Sequence, residues 1–252
     1  MKYASIINGL GTQTFCRQDI LLDILKENPD FNKNTLQKLL TRLIEQQQIT
    51  RVGKDLYVVV NKNNVKPIYE YKQTNNLLLE ITRFLLAEFP LADFLVWETR
   101  QLNEFVNHQI AHNTIVVETE NMLMDSFFNK LQEKYSAIIF EPSIEEYQRY
   151  SNNNSIIIER LSSRYPKNKK QPHGLSLEKI TVDLLANRLI KAFINEDDYT
   201  SIIENIFTKY QINETKLFSY ARTRQVERKL HNLIKSQTAI KLYTDKENKQ
   251  YA

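Results

Sequence analysis

Leu36, Leu39, Leu40, Leu43 and Ile44 stand at i, i+3, i+4, i+7 and i+8, the spacing of one buried stripe along an amphipathic helix over 34–47. Ahead of it, Ile20, Leu21, Ile24 and Leu25 mark a shorter helix. Asn28-Pro29 ends it, because proline drives the preceding residue out of helical backbone. Asn34 with Gln37 three residues on resembles a capping pair for the longer helix. The segment ITRVGKDLYVVV follows at 49–60, with β-type runs at 49–52 and 56–60 about a turn at Gly53. Helix, turn, helix and hairpin in this order predict a winged helix-turn-helix over 1–62 with 34–47 as recognition helix.

Residues 63–74 are polar and read as a linker. From residue 75 the period changes, and helical and strand patterns alternate. Helices are predicted over 77–89, 100–109, 121–135 and 143–150, and strands over 94–99, 114–119, 136–141 and 155–160. That recurrence predicts βαβ units and a largely parallel sheet covered by helices. A basic loop, RYPKNKKQPHG at 164–174, interrupts it. From about 175 the pattern is helical, over 176–190, 197–210 and 214–234. The expected fold class is α/β overall: the winged helix, then an α/β domain over 75–236 with a helical C-terminal segment, then a polar tail over 237–252.

Composition changes this picture little, but charge placement sharpens it. The chain of 252 residues suits about two domains, and 42% hydrophobic residues suffice for real cores. One cysteine, Cys16, permits no intrachain disulfide and points to a reducing compartment. No signal peptide and no apolar run of membrane-spanning length are evident. A cytoplasmic protein without a membrane partner is expected. The net charge is +4. Through residue 62, nine basic residues face six acidic ones, so most of the excess lies where DNA binding would want it.

Projected around the helix, Asn34, Gln37, Lys38, Thr41 and Arg42 fall away from the leucine stripe, together with Glu45. With Lys33 before them, and Arg51 and Lys54 in the hairpin, they are the expected DNA contacts. Arg and Lys serve guanine edges or phosphates, Asn and Gln serve adenine, and Thr serves phosphate or a thymine methyl. Lys167, Lys169 and Lys170 in the basic loop, with Arg222 and Arg224, are candidates for further phosphate contacts; Arg164, Arg228 and Lys229 lie in the same two runs. Each is equally an ordinary solvated face.

Chemistry beyond binding finds little support. Four glycines, at 9, 11, 53 and 174, assemble neither a P-loop nor a dinucleotide fingerprint. Glu104, His108 and His112 could share a helix face, yet no HExxH motif accompanies them. Glu118 and Glu120, with Asp93 ahead of an earlier strand, suggest a metal-dependent nuclease as an alternative, but no lysine stands beside them in sequence. Trp97, Phe105, Phe127 and Phe128 read as core. No catalytic residue, metal site or cofactor is expected. A winged helix serving as a protein-docking module is the other alternative.

Several segments together carry a resemblance: VWETRQLNEFVNHQ (96–109), IVVETEN (115–121), IIIERL (156–161), SLEKITVDLL (176–185) and KYQINETKLFSYARTR (209–224). Behind the helix-turn-helix, they resemble the AbiEi-like family of antitoxin transcriptional regulators, from about residue 15 to 225. The resemblance implies a bacterial toxin–antitoxin protein that represses its own promoter by binding double-stranded DNA. It also implies a functional partner, a nucleotidyltransferase-type toxin, which need not form a stable complex. Glu178, Lys179 and Asp183 match one family segment, and Tyr220, Ala221, Arg222 and Arg224 another; no catalytic role transfers onto them. The second segment ends Arg-Thr-Arg where adjacent arginines are expected.

Overall fold

The computed structural model describes residues 6, 9, 10, 14–46, 48–60, 66–73, 75–168 and 170–243. The N-terminal unit comprises β1 (Thr14–Cys16), α1 (Arg17–Glu27), α2 (Leu36–Glu45), β2 (Ile49–Gly53) and β3 (Leu56–Val59). Its strands form an antiparallel sheet in the order β1-β3-β2. Strand β1 was not predicted; three residues are too few to show a period. Ile20 and Ile24 of α1 pack with Leu36, Leu40 and Leu43 of α2 against Phe15, Ile49 and Tyr57 of the sheet. The expected leucine stripe is narrower in fact: Leu39 is half-buried and Ile44 is exposed.

One local expectation needs correction. The cap of α2 lies upstream of the Asn34–Gln37 pair. A 3-10 turn, Lys33–Thr35, precedes the helix, and the Asn32 side chain accepts the Asn34 N–H at 3.0 Å. Asn32 supplies the acceptor that a helix start lacks. The hairpin turns within the expected Gly53-Lys54-Asp55 stretch, at Lys54-Asp55, with Asp55 in the left-handed region at φ 58°. Aspartate tolerates that conformation better than most residues. Gly53 ends β2 beside a bulge.

The second unit is α/β. Its sheet runs β4 (Phe94–Glu98), β5 (Ile115–Thr119), β7 (Ile156–Arg160), β6 (Ile138–Phe140). Pairs β5–β7 and β6–β7 are parallel, whereas edge strand β4 is antiparallel to β5. Strands buried on both faces alternate between two cores. Phe94, Val96, Ile115, Val117, Ile156 and Ile158 meet α3 (Asn76–Glu88) and α4 (Met124–Gln132). Leu95, Trp97, Val116 and Ile157 face the other way, toward Tyr147 of α5 (Ile144–Tyr150) and toward the C-terminal helices. Those are α6 (Leu177–Ala186), α7 (Tyr199–Lys209), α8 (Glu214–Thr223) and α9 (Glu227–Gln237). Each fully buried Leu, Ile or Phe contributes about 1.5–3 kcal/mol, so the two helical layers carry the unit. No helix among the described residues is long and apolar enough to cross a membrane.

The helix expected over 100–109 is only a 3-10 segment, Thr99–Glu104. Leu102 and Phe105 are buried three residues apart, Gln101 donates to the buried Tyr69 hydroxyl at 3.0 Å, and the Asn103 side chain accepts the Ile110 N–H at 2.8 Å. These side-chain bonds hold the backbone outside a regular helix. The helix expected over 214–234 breaks between α8 and α9, where Gln225 has φ 60°. Of the expected linker, 66–73 runs along the second unit. Tyr69 is buried there, and the Gln171 side-chain amide accepts the Tyr71 N–H at 3.0 Å and donates to the Tyr71 carbonyl at 2.6 Å. Residues 63–65, 74 and 244–252 of the expected linker and tail lie outside the described residues.

Candidate nucleic-acid interface

Burial of Leu36, Leu40 and Leu43 turns the opposite side of α2 outward. Gln37, Lys38, Thr41 and Arg42 are exposed there, and Lys33 and Asn34 are exposed in the 3-10 turn before the helix. Lys33, Lys38 and Arg42 form no ion pair with a described residue. Thr41 donates back to the Gln37 carbonyl at 3.0 Å, so its Oγ1 keeps its capacity to accept, and the Gln37 side chain is exposed. The face thus offers guanidinium, ammonium, amide and hydroxyl groups along about three turns, the donor and acceptor types that base edges and phosphates match.

At the hairpin, Lys54 is exposed at the tip and Arg51 is exposed on β2, its Nε donating to the Gly53 carbonyl at 3.0 Å. The carboxylate beside them, Asp55, is matched by Arg17 at 3.1 Å. That pair leaves the Lys54 charge uncancelled at the tip. Thr50, beside Arg51 on β2, touches the second unit, where the Gln211 side chain donates to its Oγ1.

The other predicted cations have local partners. Lys167 pairs with Asp93 at 2.8 Å and Lys170 with Glu70 at 2.7 Å. Arg222 forks onto Glu227, at 2.9 and 2.5 Å. Arg224 points inward, 3.3 Å from Asp183, and donates to the Ala186 carbonyl at 2.9 Å. Lys169 lies outside the described residues. Glu104, His108 and His112 share no helix; Glu104 accepts from the Tyr210 hydroxyl at 2.6 Å. Among the described residues no cluster of metal-binding side chains occurs.

Glu118 and Glu120 part company because β5 ends at Thr119 and Glu120 lies beyond it, outside the alternation that would put them on one face. Glu120 is exposed, whereas Glu118 is buried and meets Lys179 of α6 at 2.8 Å. The lysine missing from the neighbouring sequence therefore arrives from a helix, although it is committed to a closed network. Lys179 also reaches Asp183 at 2.5 Å; Trp97 donates to Glu118 at 2.8 Å and Tyr220 to Asp183 at 3.0 Å. Burial pulls the Lys179 ammonium down, but the Asp183 and Glu118 carboxylates outweigh it and hold it above the ordinary lysine value. Arg224, Lys179, Glu118 and Asp183 balance in charge. Glu159, in register beside Glu118 on β7, is the surplus carboxylate. Burial pushes it up to about 7, against the hydrogen bond it accepts from Asn187 at 3.0 Å. Sequence inspection missed Glu159 and Asn187; the available signal was an acid-base pair, Glu159-Arg160, at the end of an otherwise apolar strand.

Residues 35–240 match the family described as a family of unknown function, DUF6577, and the chain belongs to it. No match is found among curated proteins. Among solved structures, the chain is similar to one described as the RV2827C protein from Mycobacterium tuberculosis, at 9% identity. The alignment covers 95% of this chain and 83% of that one, with a TM-score of 0.28.

Proposed function

We propose that this DUF6577 protein is a cytoplasmic DNA-binding autorepressor that also serves as the antitoxin to a nucleotidyltransferase-type toxin. The observation that carries the DNA-binding half is the exposed face of α2. Gln37, Lys38, Thr41 and Arg42 are exposed on α2, and Lys33 and Asn34 in the 3-10 turn before it, with Lys54 at the tip of the hairpin that follows. Read as a winged helix, α2 enters the major groove and the hairpin tip reaches a flanking phosphate. Lys167, Lys170 and Arg222 stay secondary in this reading because each already holds a carboxylate, and Arg224 because it is anchored inside. The antitoxin half rests on the family resemblance of 96–109, 115–121, 156–161, 176–185 and 209–224.

Affinity for the duplex upstream of the chain's own gene, set against a scrambled duplex over a range of salt, tests the first half. Preference for the upstream duplex with a steep salt slope is expected; equal weak binding to both would overturn it. Co-expression with the neighbouring toxin gene tests the second half: growth rescued by this chain supports it, and unrelieved toxicity overturns it.

A further inference from the structure

The parallel strands β5, β7 and β6 end at one edge of the sheet, and a cleft of about 910 Å³ opens there. Loops after all three strands line it, joined by 186–188 after α6 and 223–225 after α8. In open α/β sheets the carboxyl edge of the strands is where ligands are held, because the loops that can differ converge there.

Four arginines line this cleft: Arg160, Arg164, Arg188 and Arg224. The first three are exposed and form no ion pair with a described residue. Arg224 is fixed from behind by Asp183, by the Ala186 carbonyl and by the Ser162 hydroxyl. Of the lining carboxylates, Asp93 is already matched by Lys167 at 2.8 Å and by the Tyr165 hydroxyl at 2.6 Å. Glu159 titrates near neutrality and is bonded to Asn187. Only Glu120 and Glu141 remain exposed.

The backbone around the cleft is strained. Five non-glycine residues among those described have positive φ, and three of them line this one cleft: Glu141 at 42°, Arg164 at 56° and Gln225 at 60°. Such conformations cost free energy and gather at sites that hold a ligand.

We propose that this cleft binds a small phosphorylated ligand of nucleotide size, its phosphate held between anchored Arg224 and the unpaired Arg160, Arg164 and Arg188. Guanidinium forks match phosphate oxygens, and several of them exceed what a single carboxylate ligand can satisfy. The volume suits a nucleotide, and Glu120 and Glu141 offer acceptors to its sugar hydroxyls. The site belongs to the second unit and stands or falls independently of the α2 face.

The test is isothermal titration of the full chain with ADP and with inorganic pyrophosphate, repeated on Arg160→Gln/Arg188→Gln. A duplex oligonucleotide serves as the third titrant. Binding of either small phosphate that weakens about tenfold or more in the variant, with an unchanged circular dichroism spectrum, is expected. If that variant does not fold, Arg164→Gln, on an exposed loop, takes its place. Failure of both small phosphates to bind the native chain overturns the proposal, as does binding that survives the substitutions. Binding of the oligonucleotide alone, lost in the variant, also overturns it and makes the cleft a nucleic-acid contact.

Discussion

Gly53 and Thr215 face each other across the boundary between the two units. A Cβ on Gly53 would lie 3.3 Å from Thr215 Oγ1 and 3.1 Å from the Leu56 Cβ. A side chain on the glycine that ends β2 would therefore be tightly packed, and its neighbours would have to give by a few tenths of an ångström. The end of β2 next to the turn is packed against α8, one residue from Lys54, whose side chain is exposed. How the tip is presented to a ligand thus depends on the second unit.

Gly53→Val forces that contact apart. Overpacking of this kind costs about 1–3 kcal/mol, and urea unfolding should read a loss in that range. Unchanged stability would mean that the hairpin and α8 separate freely.

Lys179→Met leaves Glu118 and Asp183 buried without their shared cation. A cost of roughly 3–5 kcal/mol is expected, read by chemical denaturation. Lys179→Met with Glu118→Gln should recover part of it, since one buried charge is then gone. A loss of about 1 kcal/mol or less, the size of an exposed pair, would contradict a closed network.

Glu159 sets a pH dependence. Its pKa is raised from 4.5 to about 7 on folding, so the folded state disfavours the ionised form. The stability is fully present below the unfolded value and is lost as pH rises through the folded one. A shift of that size corresponds to a loss on the order of 3 kcal/mol. Glu159→Gln keeps an acceptor for Asn187 and removes the charge. The variant should match the native chain at about pH 5 and exceed it in stability at about pH 8. Parallel pH profiles for the two proteins would contradict this.

Periodicity made much of this architecture legible. The α2 stripe, the hairpin strands and the four strands of the larger sheet stand where their apolar patterns place them. It failed where side chains override period: Asn103 and Gln101 hold 99–104 in a 3-10 turn, and Gln225 breaks the last helix in two. The antiparallel edge strand was hidden for the same reason, because an expected crossover helix over 100–109 pointed to parallel pairing. The exposed α2 face followed directly from the buried one. The pairing of Glu118 with Lys179, sixty-one residues on, and the gathering of Arg160, Arg188 and Arg224 at one cleft are long-range facts that no local spacing encodes.

Whether α2 reads DNA is decided by Arg42→Ala combined with Lys38→Ala. Both side chains are exposed and unpaired, so stability should change by no more than about 0.5 kcal/mol. Affinity for the upstream duplex is to be measured for the native chain and the double variant across a salt series. Binding should weaken by about tenfold or more, with a salt slope reduced by roughly one to two. Undiminished affinity with an unchanged slope would place DNA elsewhere or nowhere on this protein.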